Sequence, residues 1–83
     1  MSHVRIILSL KAIADLEDIE EPLLSKVIER VQLLSEFPSL GSPMEKPFLG
    51  RRMLVVDIFK ILYRVVSPTR IEVLYIRHAK RQL

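Results

Sequence analysis

The stretch RRMLVVDIFKILYRVV, residues 51–66, decides how this chain folds. It separates into two strand-like runs, Arg51–Asp57 and Phe59–Val66, dominated by β-branched and other apolar residues. Asp57-Ile58 is a link too short for anything but a hairpin turn. Strand alternation then sorts the second run. Phe59, Ile61, Tyr63 and Val65 share one face and suit the floor of a core. Lys60, Leu62, Arg64 and Val66 share the other, an open face carrying two cations.

A third run, IEVLYIR (Ile71–Arg77), follows the four-residue turn Ser67-Pro68-Thr69-Arg70, so it too reads as a hairpin partner. Alternation puts Ile71, Val73, Tyr75 and Arg77 on one face and Glu72, Leu74, Ile76 and His78 on the other. Which set adjoins Lys60 and Arg64 depends on the register. The run ends in a cluster of positive charge: Arg77, His78, Lys80 and Arg81.

Upstream, HVRIIL (His3–Leu8) is short and β-branched and reads as a strand. Ser9 suits a helix N-cap. In LKAIADLEDIEE, residues Leu10, Ile13, Ala14 and Leu16 or Glu17 recur at helical spacing. Acids crowd the end of this helix and oppose its dipole, so its C-terminus is weak, and Pro22 breaks it. Proline is also a good first helical residue, and PLLSKVIERVQLLSEF carries the stripe Leu24, Val27, Ile28, Val31 and Leu34. The joint is short enough for an antiparallel helical hairpin. PSLGSPMEKPFLG (Pro38–Gly50) has too many prolines and glycines for a regular element and is expected to be pinned by Leu40, Met44, Phe48 and Leu49. The sum is an α+β fold of order β-α-α-β-β-β. It is a small curled antiparallel sheet with the helical hairpin packed on one face, and the second strand runs antiparallel to the first.

The 83 residues make one domain, spanning 1–83. With 49% hydrophobic and 28% charged residues the composition is globular rather than disordered. There is no cysteine, which excludes disulfides, thiol chemistry and cysteine-based zinc sites. No metal site or cofactor motif is apparent, and no run is long enough for a membrane span. The expected location is cytoplasmic. The charge is uneven: residues 1–41 hold four Lys/Arg against seven Asp/Glu, and residues 42–83 hold nine against three. A basic C-terminal half suits a phosphate-rich or acidic partner, although ordinary surface charge explains it equally well.

Few residue types here carry chemistry. His3 and the acids Asp15, Glu17, Asp18, Glu20 and Glu21 read as solvated surface. Tyr63 and Tyr75 read as core residues with satisfied hydroxyls. The remaining candidates are Arg51, Arg52, Lys60, Arg64, Arg77, His78, Lys80 and Arg81. Metal-free RNA cleavage needs a base, a proton donor and cations for the phosphorane, and an Arg–Lys–His group supplies all three. The plain alternative is a charged strand end that keeps a sheet edge soluble.

Four pieces in the right order resemble the RelE/ParE superfamily, the toxins of type II toxin–antitoxin systems. LKAIADLEDI resembles its first helix, with Ala12, Asp15, Leu16 and Ile19 in the expected places. LLSEFPSLGSP resembles its helix exit and loop. RRMLVVDIFKILYRVV resembles its second and third strands, with Arg52 at the start and Tyr63-Arg64 near the centre. IEVLYIRHAKRQL resembles its closing strand. The resemblance implies a growth-arresting toxin restrained by a cognate antitoxin. It implies two mechanisms. RelE-like members cut messenger RNA in the ribosome, for which His78 and Arg64 would be the catalytic residues: His78 would transfer a proton while Arg51, Arg52, Lys60 and Arg64 bind and polarise the phosphate. ParE-like members poison DNA gyrase without catalysis, and the same basic surface of Arg51, Arg52, Lys60, Arg77, Lys80 and Arg81 would bind the target. The chain departs from RelE in having no tyrosine after Tyr75. A third reading is an inactive relative that only binds an antitoxin.

Overall fold

The computed structural model describes residues 4–79. The element order is β1 (Arg5–Leu8), α1 (Leu10–Glu17), α2 (Leu23–Leu33), β2 (Ser42–Pro43), β3 (Arg51–Val56), β4 (Phe59–Ser67) and β5 (Arg70–His78). One sheet contains all five strands in the order β1-β5-β4-β3-β2. The α+β class agrees with the sequence, and so does the succession of elements apart from one added two-residue strand, β2, inside the segment expected to hold no regular element.

The sheet is mixed rather than antiparallel throughout. The hairpins β3–β4 and β4–β5 are antiparallel, but β1 joins the outer edge of β5 in parallel. It follows that β1 and β3 run in the same direction, against the expected antiparallel relation. The helical hairpin makes one return, and the long segment between α2 and β3 makes another. That segment also contains β2, which pairs with β3 through Ser42–Met53 and Pro43–Arg52.

The hairpin turn forms where the sequence put it. Val56 pairs with Phe59, and Asp57 takes the left-handed conformation at φ +56°. Aspartate tolerates that region better than most residues. The core lies between the helices and one face of the sheet. Val27 and Leu34 from α2 and its exit, with Ile61, Tyr63, Ile71 and Val73, are fully buried. Burying one such Val, Leu or Ile side chain contributes about 1.5–3 kcal/mol.

Helix α1 is rotated from the expected stripe. Its buried positions are Ala12 and, beyond its end, Ile19, with Leu16 packed against the core. Leu10 is 87% exposed and Ile13 faces solvent as well. Hydrogen bonds to β5 account for the rotation. β1 stops at Leu8, leaving the far half of the β5 edge without a strand. Ser9 fills part of the gap: its N–H donates to the Val73 carbonyl (3.0 Å), and its hydroxyl donates to the Leu74 carbonyl (2.7 Å) while accepting from Ala12 N–H (3.0 Å). One turn later the Asp15 carboxylate accepts from Ile76 N–H at 2.9 Å and pairs with Lys11. Asp15 is therefore not solvated surface, for its side chain is only 12% exposed. Glu21 also has local work, accepting from the N–H and hydroxyl of Ser25 in the first turn of α2.

The Pro38–Gly50 loop is held differently from the expectation. Leu40, Phe48 and Leu49 are exposed, and Met44 is half-buried. Polar contacts to the sheet secure its first turn instead. The buried Tyr63 hydroxyl donates to the Pro38 carbonyl (2.7 Å) and accepts from Gly41 N–H (2.8 Å). Arg52 donates to the Gly41 carbonyl at 2.6 Å. A Cβ at Gly41 would fall 2.8 Å from the Tyr63 ring and 2.9 Å from the Met53 carbonyl oxygen, so only glycine fits.

Two predictions test these contacts. Asp15→Ala leaves Ile76 N–H unmatched and should cost about 1–3 kcal/mol in denaturant unfolding, whereas loss at a solvated acid would cost almost nothing. Burial raises the Tyr63 hydroxyl pKa, only partly offset by the Gly41 hydrogen bond and the Arg52 charge. Above the ordinary value of about 10 the unfolded chain then loses this proton before the folded one does, and stability falls as pH rises. Tyr63→Phe should lower stability at neutral pH and remove this part of the alkaline loss, read as unfolding free energy against pH.

Candidate functional site: two faces of the closing hairpin

The pairing of β4 with β5 distributes the sequence candidates. Lys60 lies opposite Arg77, Ile61 opposite Ile76, and Leu62 opposite Tyr75. The next pair is Tyr63 with Val73, so Leu74 is an extra residue at a β-bulge. A bulge shifts the alternation of everything beyond it. Ile71 and Val73 therefore share the core face with Ile76 and His78. Glu72, Tyr75 and Arg77 share the open face with Lys60, Leu62 and Arg64. Strict alternation had grouped Tyr75 and Arg77 with Ile71 and Val73, and had grouped Glu72 with His78.

On the open face Leu62 is only 2% exposed although no helix covers it. The register flanks it with Met53 on β3 and Tyr75 on β5, and Lys60 and Arg64 are the next residues of its own strand on that face. The cations around it form two groups. At one end Arg51 faces Arg64 across β3–β4. Arg64 is neutralised by Glu72 (2.9 Å), and Arg51 lies 6.0 Å from the Phe48 ring centroid. This exposed ion pair is worth about 0–1 kcal/mol to the fold. At the other end Lys60 faces Arg77, whose guanidinium stacks over Tyr75 at 4.3 Å.

His78 occupies the helix-facing side. It meets the Phe59 ring edge-on, with centroids 5.7 Å apart and planes at 71°. Together with Asp15, Asp18, Ile19 and Phe59 it borders a cleft of about 400 Å³, to which Arg77 also contributes. The carboxylates of this cleft came from the stretch that read as solvated acids, and only the helical phase brings them to His78. Arg52 is committed to the loop through Gly41. Lys80 and Arg81 lie outside the described residues.

The candidates divide along the hairpin: Arg77 and His78 border one cleft, while Arg51 and Arg64 lie at the far end. His78 pairs with Phe59, and Arg64 is five residues further along β4 on the opposite face. At about 3.3 Å per residue the two are roughly 17 Å apart along the strand. Among the described residues no group of His, Asp and Glu is arranged to hold a metal ion, and no helix is long and apolar enough to cross a membrane.

Solved structures share this fold. A chain of the Mycobacterium tuberculosis RelBE2 toxin–antitoxin complex superposes with a TM-score of 0.83 at 22% identity, covering 94% of this chain and 99% of that one. The chromosomal ParDE system of P. aeruginosa gives 0.73 at 24% identity, covering 93% and 97%. A free-state mutant of the E. coli toxin RelE gives 0.75 at 10% identity, covering 96% and 86%. No curated protein matches significantly in sequence. The family model described as the ParE toxin of the type II toxin–antitoxin system parDE matches residues 6–83, nearly the whole sequence. With its fold, its helical phase and its closing hairpin accounted for, the chain belongs to the ParE toxin family of type II toxin–antitoxin systems.

Proposed function

We propose that this toxin works in the ParE-like manner, docking on DNA gyrase through the open face of its sheet, and that a cognate antitoxin restrains it. The observation that carries the reading is the separation of His78 from Arg64. A proton-transfer group and the cations that stabilise a phosphorane must reach the same phosphate, within hydrogen-bond distance of its oxygens. Arg64, about 17 Å from His78 along the strand and on the opposite face, cannot do so, and Arg77, which borders the His78 cleft, turns its guanidinium onto the Tyr75 ring on the open face. The surroundings of His78 add to this. Asp18 borders its cleft and opposes the approach of an RNA phosphate, and Asp15, which also borders it, is already paired with Lys11.

A docking role asks less of the same residues. The open face needs to present charge and shape, not a general base. Solved relatives of this fold come from toxin–antitoxin complexes, which supports an antitoxin partner for this chain. Such a partner should be acidic or amphipathic where it meets the basic surface.

The test is paired. Purified protein should inhibit supercoiling by gyrase and trap gyrase–DNA cleavage complexes, while ribosome-bound message stays intact. His78→Ala should leave growth arrest unchanged on induction without antitoxin. Cleavage of message that His78→Ala abolishes would overturn the docking reading, and normal growth on induction of the wild type would mean that toxicity has been lost.

A further inference from the structure

We infer that Lys60 and Arg77 form a two-cation clasp for a carboxylate carried by an acidic, partly apolar segment of a protein partner. The inference rests on the reading of this chain as a protein-docking toxin and supplies the chemistry of that contact.

Residues directly opposite on antiparallel strands bring their side chains close together, and like charges there destabilise the sheet. The open face has two such pairs, Arg51 with Arg64 and Lys60 with Arg77. The first is relieved by the fold itself, because Glu72 sits on Arg64 and the Phe48 ring lies near Arg51. The second is not. The other cross-strand neighbour of Lys60 is Val55, and among the described residues no acid pairs with Lys60 or Arg77. A bridging anion would turn this repulsion into two attractions.

The surroundings select the kind of anion. Tyr75 is the aromatic ring beside the pair, and the Arg77 guanidinium already covers it at 4.3 Å. That ring face is unavailable for stacking a nucleobase, the main sequence-tolerant contact of single-stranded nucleic acid. Stacking also orders Arg77, so less side-chain freedom is lost on binding. On the other side of Lys60, Val55 is 54% exposed. A cationic pair beside an exposed valine complements a segment that alternates acidic and apolar residues.

The experiment titrates the full chain with three probes, followed by calorimetry and by amide chemical shifts. They are a blocked peptide of alternating glutamate and valine, inorganic phosphate, and a single-stranded RNA oligonucleotide. The peptide should bind more tightly than phosphate or RNA and should shift the amides of Val55, Lys60 and Arg77. Lys60→Gln and Arg77→Gln should each weaken peptide binding about tenfold or more, the scale on which losing a charge-assisted contact acts. Arg70→Gln, an exposed cation at the start of β5, should leave it unchanged. Without any probe, Lys60→Glu should raise the melting temperature, since it replaces repulsion across the pair by attraction. Tighter binding of RNA than of peptide overturns the inference, as does peptide binding indifferent to Lys60→Gln, or a melting temperature that falls in Lys60→Glu. Specific peptide binding by a protein that leaves gyrase untouched supports the clasp and counts against the gyrase target alone.

Discussion

The pairing of β4 with β5, with its extra residue at Leu74, is the constraint on which the rest depends. Before the bulge, β5 sends Ile71 and Val73 into the core. After it, the phase reverses, so that Ile76 and His78 enter the helix side and Tyr75 and Arg77 remain outside. Without the extra residue, Tyr75 and Arg77 would meet the helices and Ile76 would face water. Burying a guanidinium without a partner costs several kcal/mol, so the bulged register is the one a stable core can accept. One residue thus separates a histidine in an acidic cleft from a row of cations on an open sheet.

Other contacts keep this hairpin in place at both of its edges. Along β5, β1 covers Arg70–Val73, and the side chains of Ser9 and Asp15 take over where β1 stops. An exposed strand edge invites pairing with other chains, and a helix that hydrogen-bonds to it removes the invitation. Beside β4, Tyr63 and Arg52 hold the turn at Pro38–Gly41. In a chain this small, whose core can bury only a limited area, such polar contacts are a sizeable share of the stability.

Much of this was legible in the sequence, for identifiable reasons. The hairpin at Asp57-Ile58 followed from two apolar runs with no room for a longer loop. The Ser9 cap and the satisfied hydroxyl of Tyr63 followed from residue chemistry. The face of α1 did not, because Leu10 and Ile13 match helical spacing as well as Ala12, Leu16 and Ile19 do, and only bonds to a strand some sixty residues away choose between them. The neighbour of β1 was equally hidden, since local pattern says nothing of which edge a first strand joins. The candidate residues of the site were visible by type, and their division between two faces was not. A bulge has no signature in IEVLYIR, where either phase places apolar residues inward.

The hairpin is thus two-sided: His78 on the helix face, Lys60 and Arg77 on the open face. Nuclear Overhauser contacts of the His78 ring in the free protein test it most directly. That ring should show contacts to Phe59 and to Ile19, with the Tyr75 ring instead reporting Arg77 and Leu62. Contacts from the His78 ring to the side chains of Lys60 or Arg64 would contradict it, and would return the histidine to the company of the cations.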